Sequence, residues 1–292
     1  MKKEKTINMK NRNIQKVKGI MLFFFIIFSV YSFTLVFPIL WIIYNSFKTA
    51  PEFLMSGNPW ALPQRFMFSN YLDVFVLSEF NLGEMFFNSI TLVIGQTFAG
   101  LLVSCCTAYA VAKYKFMGRN TIYFIAVTIM FIPTTGSLAI TYKLMIDFKL
   151  YDTYLGMIIM SAGGFGFSFF LLYGFFKNIS WSYAEAAFID SAGHWTVFLR
   201  IMLPQAKPAI VALAIISGIG VWNNFSSQFV FYKTHPTVAV GLKRLSDYIV
   251  SYGADYPRYF AAIVMSCLPV VIIYASCQKM IIKNTVAGGL KG

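Results

Sequence analysis

The sequence has 292 residues, of which 58% are hydrophobic and only 12% are charged, and its formal net charge is +13. No soluble domain of this length would be so apolar, so the composition indicates a membrane protein. The basic excess does not indicate nucleic-acid binding, because it is spread over loops that flank apolar segments.

The charged residues leave six charge-free stretches of 20 to 29 residues. Each is long enough for one helix across a hydrocarbon core of about 30 Å. Lipid offers no partner to free backbone groups, so these spans should be helices, and the polar–apolar alternation of a membrane barrel is absent. We therefore expect an all-α membrane protein with six transmembrane helices, at about 20–46, 86–112, 120–142, 154–176, 208–232 and 259–281.

The segments between the spans differ in charge. Those on one side hold 16 Lys/Arg against 3 Asp/Glu, and those on the other hold 8 against 8. Because positive residues favour the cytoplasmic side, we expect the first set inside, together with a basic N-terminal tail (1–18) and a C-terminal tail (284–292). The first set comprises 1–18, 113–119, 177–207 and 279–292, and the second comprises 48–84, 143–152 and 233–258.

The remaining features of the chain suit a single membrane domain. The first apolar run is too long for a signal peptide and no cleavage site follows, so we expect an uncleaved first helix. The outer segment 45–84 carries three prolines and should be irregular, whereas 235–258 should hold a short amphipathic helix near 240–250. The four cysteines lie in predicted spans without metal-like spacing to the two histidines, so we expect packing roles and no metal site.

The sequence offers no catalytic site. It has no G-x-x-x-x-G-K-[ST] loop, so the chain itself should not bind or hydrolyse ATP. The glycine cluster 163–166 lies inside a predicted span and is interpreted as close helix packing or a flexible point. The charge-free stretches also lack histidine, which argues against an ion-coupled carrier and against an intramembrane hydrolase.

The most informative segment is 183–208, the longest polar-interrupted one on the predicted inner side. It contains a spaced set of residues: Glu185, Ala186, Ala187, Ser191, Ile201, Leu203 and Pro204. This spacing resembles the EAA loop of importer-type ABC permeases, the segment that contacts the ATPase. The family pattern is Glu-Ala-Ala, then three residues of any type, Gly, nine residues of any type, Ile, one residue of any type and Leu-Pro. Ser191 stands where the family has Gly, so we expect the helix break at Gly193. Asp190 belongs to the same coupling loop.

Local signals add detail to this loop. Ser182 and Glu185 have the spacing of a capping box, and a second short helix is expected from about 194 to 203, limited by Pro204 and Pro208. An ordinary cytoplasmic linker with a well-capped helix would share these signals, but the full spacing out to Pro204 favours ATPase docking.

The resemblance to the EAA loop implies how docking would work. A helix whose alanine face enters a groove on the ATPase would bring the backbones close, and Glu185 would pair with a basic group. Phe188, Trp195 or Phe198 would fill apolar pockets.

Further motifs are similar to those of carbohydrate-importing ABC permeases, in particular the smaller, MalG-type subunit of oligosaccharide importers, over roughly residues 20–292. They are Asn88–Ser89, Ala108–Tyr109–Ala110, Gly118–Arg119–Asn120, Ile132–Pro133, Asp152–Thr153–Tyr154–Leu155–Gly156, Trp222–Asn223–Asn224–Phe225 and Gly289–Leu290–Lys291–Gly292. Two residues depart from the family: Asn224 stands where it often has Asp, and Ser180 where it often has Pro.

The resemblance implies a type I ABC importer permease in a bacterial plasma membrane. Its partners would be a second, MalF-like permease, two cytoplasmic ABC ATPases that bind ATP and Mg, and an extracellular solute-binding protein. Sugar would pass between the two permeases. Trp222, Asn223, Asn224 and Gln228 are candidates for the sugar pathway; equally, Trp222 would pack between helices and the amides would bond across them.

Two alternatives remain open at this point. One keeps the ABC importer but changes the cargo to a peptide, phosphonate or metal complex, which the additional motifs disfavour. The other is a channel or carrier that acts alone, which would leave the EAA spacing unexplained.

Overall fold

The computed structural model describes residues 2–55, 58–76, 81–132, 136–252 and 255–289, with side chains omitted at 2–18, 76, 250, 252 and 279–289. Every regular element in these ranges is helical. The longest helices are α1 (Lys2–Asn45), α4 (Leu82–Lys113), α11 (Leu203–Trp222) and α14 (Tyr256–Gly289). The shorter helices are α2 (Ala50–Met55), α3 (Ser69–Val76), α5 (Arg119–Ile129), α6 (Ser137–Asp147), α7 (Tyr154–Ser161), α8 (Phe167–Asn178), α9 (Ser182–Ile189), α10 (His194–Val197), α12 (Ser226–Phe231) and α13 (Val238–Tyr252).

Four helices of the described chain are long and apolar enough to cross a membrane: Gly19–Asn45, Leu82–Lys113, His194–Trp222 and Tyr256–Gln278. They overlap the predicted first, second, fifth and sixth spans, the fifth only over 208–222. The predicted tail 1–18 continues α1 as helix from Lys2, and α14 carries the C-terminal tail as far as Gly289. Pro133 and the last three residues of the C-terminal motif lie outside the described residues.

Three predicted spans are each divided between two helices. Span 120–142 is shared by α5 and α6, span 154–176 by α7 and α8, and span 208–232 by α11 and α12. In the second of these, Gly164 and Gly166 have φ angles of 72° and 120°, a left-handed backbone that ends a helix. The expectation of one continuous helix is therefore wrong at these places, and the glycine cluster is a helix break.

Helix α4 lies at the centre of the bundle and packs against α7, α8 and α11. Towards its C-terminal end, which we call the loop end, the core contains fully buried Ala108, Leu172, Phe176, Ala184 and Met202. Because Ala184 belongs to α9 and Met202 precedes α11, the segment between the predicted spans four and five is part of this core.

Motif residues meet at the N-terminal end of α4, which we call the far end. Asn88 accepts a hydrogen bond from the Tyr154 hydroxyl at 2.6 Å and donates to the Pro236 carbonyl at 3.1 Å. Ser89 accepts from the Val238 N–H at 2.9 Å. These side chains join α4, α7 and the segment before α13, so we interpret the Asn88–Ser89 motif as structural.

The Asp152 motif holds the same end together. The Asp152 carboxylate accepts from the N–H groups of Lys233 and Thr234 at 2.8 and 3.0 Å. A Cβ atom on Gly156 would lie 2.0 Å from the Leu150 carbonyl oxygen, so the turn into α7 requires glycine. Nearby, α13 confirms the amphipathic helix predicted near 240–250.

The segment after α1 packs around a buried lysine. Lys48 is 1% exposed, and its ammonium donates to the Pro59 carbonyl at 3.3 Å and lies 5.1 Å from the centre of the Tyr44 ring. Burial lowers the pKa of Lys48, because a desolvated ammonium is less stable, while nearby Glu52 opposes this effect.

Candidate functional site

The predicted coupling loop, residues 177–207, forms helix α9, a tight turn and helix α10. The turn has Ser191 in the left-handed region, with φ 60°. The Ser191 N–H bonds to the Phe188 carbonyl at 3.0 Å, and the Ala192 N–H bonds to the Ala187 carbonyl at 2.9 Å. This pair of bonds is a Schellman motif, which most often has glycine at the left-handed position. The break therefore occurs at Ser191, and the expectation that it moves to Gly193 is wrong.

The start of α9 also differs from expectation. Trp181 is the N-cap residue, and Ser182 is already the first helical residue. The Ser182 N–H bonds to the Ser180 hydroxyl at 3.3 Å. The predicted capping box is therefore wrong, and the Glu185 side chain is not used to cap the helix. Serine at 180 supplies an acceptor that proline, frequent there in the family, would lack.

Helix α10 does not end at the prolines. It continues through a wide turn, Phe198–Met202, into α11, and the Leu203 N–H bonds to the carbonyl of Phe198, five residues earlier. Pro204 stands at the start of α11 and Pro208 lies within it. Proline lacks an N–H and crowds the carbonyl four residues before it, so the wide turn opens the helix just where Pro204 enters. The predicted limit at these prolines is wrong.

The loop is attached to the end of α4. The Tyr114 hydroxyl and His194 Nδ1 are hydrogen-bonded at 2.9 Å, and the Tyr114 ring lies edge-on against Trp181 at 5.8 Å. Lys113 donates to the Ile179 carbonyl. Contacts from Lys113, the last residue of α4, and from its C-cap residue Tyr114 therefore hold the loop on both sides of α9.

Two of the predicted docking anchors face inward instead. Phe198 is buried and its ring stacks on Tyr109 at 4.8 Å. Phe188 is half-buried between Trp181 and His194, with ring centres 6.0 and 4.9 Å apart. These residues fix the loop to its own chain, so their predicted role as anchors is wrong.

Several side chains of the loop are exposed; four of them, Tyr183, Glu185, Ile189 and Trp195, together define what we call the docking face. Ile189 is 84% exposed, Trp195 71% and Tyr183 55%. Within the described chain the exposed Glu185 carboxylate has no ion-pair or hydrogen-bond partner. Sequence reasoning found Glu185 and Trp195 but missed Tyr183 and Ile189, which only the orientation of α9 reveals.

The other motif residues of the loop are divided between its two sides. Ala186, Asp190, Gly193 and Pro204 are exposed, whereas Ala187 and Leu203 are half-buried against the core and Ile201 is half-buried. The alanine run therefore does not form one uniform face.

Two candidate sugar-pathway residues are engaged within the chain. The indole N–H of Trp222, which is 9% exposed, donates to the Ser266 carbonyl at 3.2 Å. Gln228 is 1% exposed; its amide donates to the Val221 carbonyl, and its oxygen accepts from the Thr237 hydroxyl. This geometry favours the interpretation that both side chains tie helices together.

Asn223 and Asn224, which lie between Trp222 and Gln228 in the sequence, differ in their exposure. Asn224 is half-buried, and its side-chain oxygen accepts from the Ser227 N–H in the first turn of α12 at 3.3 Å. Asn223 is exposed. Of the four candidates, Asn223 is the one whose side chain is open to a ligand.

Comparison with known proteins gives a consistent result. Residues 97–285 match the family described as binding-protein-dependent transport system inner membrane component. The chain is similar to the diacetylchitobiose uptake system permease protein NgcG of Streptomyces coelicolor, at 32% identity over 86% of this chain and 83% of that protein. It is also similar to the arabinooligosaccharides transport system permease protein AraQ of Bacillus subtilis, at 30% identity over 91% and 94%. Among solved structures, a bacterial ABC transporter involved in the import of the acidic polysaccharide alginate has the same fold, with a TM-score of 0.73, 24% identity and coverage of 87% of this chain and 93% of that one.

Proposed function

Because this chain belongs to the family of binding-protein-dependent transport system inner membrane components, we propose that it is a permease subunit of an ABC importer for an oligosaccharide. The cargo is inferred from the relatives, whose names specify diacetylchitobiose and arabino-oligosaccharides. The chain itself performs no catalysis; ATP and Mg bind to a separate ATPase.

The observation that carries this proposal is the docking face. Exposed apolar side chains outside the membrane spans fit a surface that a partner protein covers. In the complex, the ATPase would bury the exposed side chains of Trp195, Ile189 and Tyr183 as anchors. The Glu185 carboxylate would pair with a basic group on the ATPase. The EAA spacing of this loop is the pattern by which such permeases contact their ATPases.

The proposed assembly contains this chain, a MalF-like permease, two ATPase subunits and an extracellular solute-binding protein. Six spans cross the membrane, with α5–α6, α7–α8 and α11–α12 as the interrupted ones. The 177–207 loop and both termini lie in the cytoplasm, which agrees with the basic excess of the inner segments.

The geometry suggests how ATP binding moves the spans. Closure of the two ATPases displaces the docking face. That displacement passes to α11 along the uninterrupted helix from His194 to Trp222, and to α4 through the Tyr114–His194 bond. The helices then alternate access to the sugar path.

The test is ATP hydrolysis by the assembled complex in lipid, with binding protein loaded with diacetylchitobiose, arabino-oligosaccharides or alginate oligosaccharides. Glu185→Ala is expected to lower the stimulated rate by about tenfold or more, or to release the ATPase, as the loss of a central interface residue does. Glu84→Ala is the matched control, because Glu84 is also an exposed carboxylate in the first turn of a helix but lies at the far end.

Either of two results would contradict the proposal. One is unchanged stimulation in Glu185→Ala, which would remove the loop from the coupling path. The other is transport by the chain alone without ATP, which would identify a channel or carrier. Stimulation only by a binding protein carrying a non-sugar solute would keep the importer and change its cargo.

A further inference from the structure

The segment that follows α1 contains a loop without charge, residues 53–64, which we call the uncharged loop. It lies between Glu52 and Arg65 in the sequence and has no Asp, Glu, Lys, Arg or His. The Glu52 carboxylate accepts from the Gln64 N–H at 2.7 Å and from the Thr49 N–H at 3.4 Å. One charged side chain therefore holds the two ends of the loop together.

The uncharged loop is attached to both α1 and α14. The Pro59 carbonyl accepts from the Tyr44 hydroxyl at 2.8 Å and from the ammonium of the buried Lys48 at 3.3 Å. At the beginning of the loop, the Phe53 ring lies edge-on to that of Phe260 in α14, with ring centres 5.4 Å apart. These contacts fix the position of the loop relative to the two long helices.

The position of Trp60 shows that the uncharged loop folds back along α1. The Trp60 ring stacks on that of Phe37, with ring centres 5.7 Å apart, and lies edge-on to Trp41 at 6.1 Å. Phe37 lies eight residues before Asn45, the last residue of α1, which is a distance of about 12 Å along the helix axis. Because this part of α1 belongs to the apolar helix Gly19–Asn45, Trp60 lies beside the predicted first span and not beyond its end.

The surface of the uncharged loop is apolar and lies at the far end of the bundle. Met55 is 84% exposed and Leu62 is 78% exposed, and Trp60 is exposed as well. Ala261, the residue after Phe260, packs with Leu82 in the first turn of α4, which places the loop at the far end. Tryptophan and aliphatic side chains are typical of the boundary between lipid headgroups and acyl chains.

We propose that the uncharged loop is a lipid anchor, whose partner is the membrane leaflet at the far end of the bundle. Trp60, Leu62 and Met55 lie at the boundary between headgroups and acyl chains, and Glu52 lies on the side facing water. Because the loop is attached to α1 and α14, the anchor keeps the ends of these two helices at one depth. This inference goes beyond the proposed function, since contact with lipid requires neither a sugar nor an ATPase.

The first test measures how deep the loop lies, in lipid vesicles that contain the assembled complex. Nitroxide spin labels are attached at Met55→Cys and Leu62→Cys, one at a time, in a chain whose four native cysteines are replaced. Dissolved oxygen concentrates in lipid, whereas a nickel chelate stays in water. We expect oxygen to relax both labels strongly and the nickel chelate to reach them several-fold less often than a label at Thr234→Cys. Thr234 is the matched control, because it is exposed at the same end of the bundle.

The second test changes the polarity of the loop surface. Leu62→Glu places a carboxylate where we expect acyl chains, and burial of a charge in lipid is unfavourable. The loop should therefore move outward, and the nickel chelate should reach the label at position 55 several-fold more often. Leu62→Met keeps the side chain apolar and should leave that access unchanged. Equal access in Leu62→Glu and Leu62→Met would contradict the proposal.

The outcomes of the first test separate lipid from other partners. Free access of the nickel chelate to both labels would place the loop in water and overturn the proposal. Exclusion of both oxygen and nickel would mean that protein, such as the second permease, covers the loop. Nickel access that is lost only when the binding protein is added would identify a docking surface for that protein. Oxygen access with nickel exclusion, in a complex that transports no sugar, would support the anchor while the proposed function fails.

Discussion

A single backbone angle shapes the end of α9. Ser191 has φ 60°, a conformation in which the Cβ atom of an L-residue is crowded by the following carbonyl. Its two flanking Schellman bonds hold the turn that brings α10 back against α9. The family pattern has glycine at this position, and the structure gives the physical reason: glycine adopts this angle without strain.

We therefore expect Ser191→Gly to be neutral or to stabilise the protein slightly, and Ser191→Val to destabilise it by about 1–2 kcal/mol. Thermal denaturation of the purified chain, in one detergent, measures both. Ser182→Gly provides the comparison, because Ser182 is helical and gains nothing from glycine. A more stable Ser191→Val variant would show that the turn does not need its left-handed residue.

At the scale of elements, the 177–207 loop is held by its neighbours on both sides. Tyr114 and Lys113 connect it to α4, and the continuous helix through Phe198–Met202 connects it to α11. These attachments make α9, α10 and the loop ends of two spans a connected unit, through which, in the proposed mechanism, a displacement of the docking face would reach the bundle.

Tyr114→Phe tests this connection with a small change. It removes the hydrogen bond to His194 but keeps the ring, and such a bond contributes about 0.5–1.5 kcal/mol. We expect the sugar transported per ATP hydrolysed to fall about threefold while the complex stays assembled. Tyr274→Phe, at an exposed tyrosine of α14, should have no effect. An unchanged ratio in Tyr114→Phe would mean that this bond carries no part of the coupling.

At the scale of the whole molecule, the charge asymmetry predicts which end faces the cytoplasm. Thr234 lies in a predicted outer segment and Ser182 in a predicted inner one, and both are exposed. In right-side-out membrane vesicles, a membrane-impermeant maleimide should label Thr234→Cys directly and Ser182→Cys only after permeabilisation. The wild-type chain is the control, because it measures how far the maleimide labels the four native cysteines. The reverse labelling pattern would mean that the chain has the opposite orientation in the membrane, with the docking face outside the cell.

The sequence predicts the apolar helices well, because twenty or more uncharged residues have few other stable arrangements near lipid. It predicts their interruptions poorly. The glycine cluster at 163–166 is compatible with packing or with a break, and the left-handed angles of Gly164 and Gly166 decide for the break. The N-cap of α9 is Trp181 instead of Ser182, a shift of one residue that local patterns do not resolve.

The candidate site shows the same limit. The spacing from Glu185 to Pro204 locates the loop, but not which side chains point away from the bundle. Trp222 resembles a sugar-stacking residue in sequence, yet its indole N–H is bonded to a carbonyl 44 residues away.

The wide turn at Phe198–Met202 gives the motif spacing a geometric meaning. The nine residues between Ser191 and Ile201 run into this turn, and the helix then continues without interruption into α11. Each successive residue of an α-helix is rotated by about 100° around the helix axis relative to the residue before it. Inserting or deleting one residue in this helix would therefore rotate the docking face by about 100° around the axis of α11. The distance between the docking face and α11 would change by only about 1.5 Å. Under the proposed function, the constant number of residues in the EAA pattern would fix the angle between the ATPase and the membrane path.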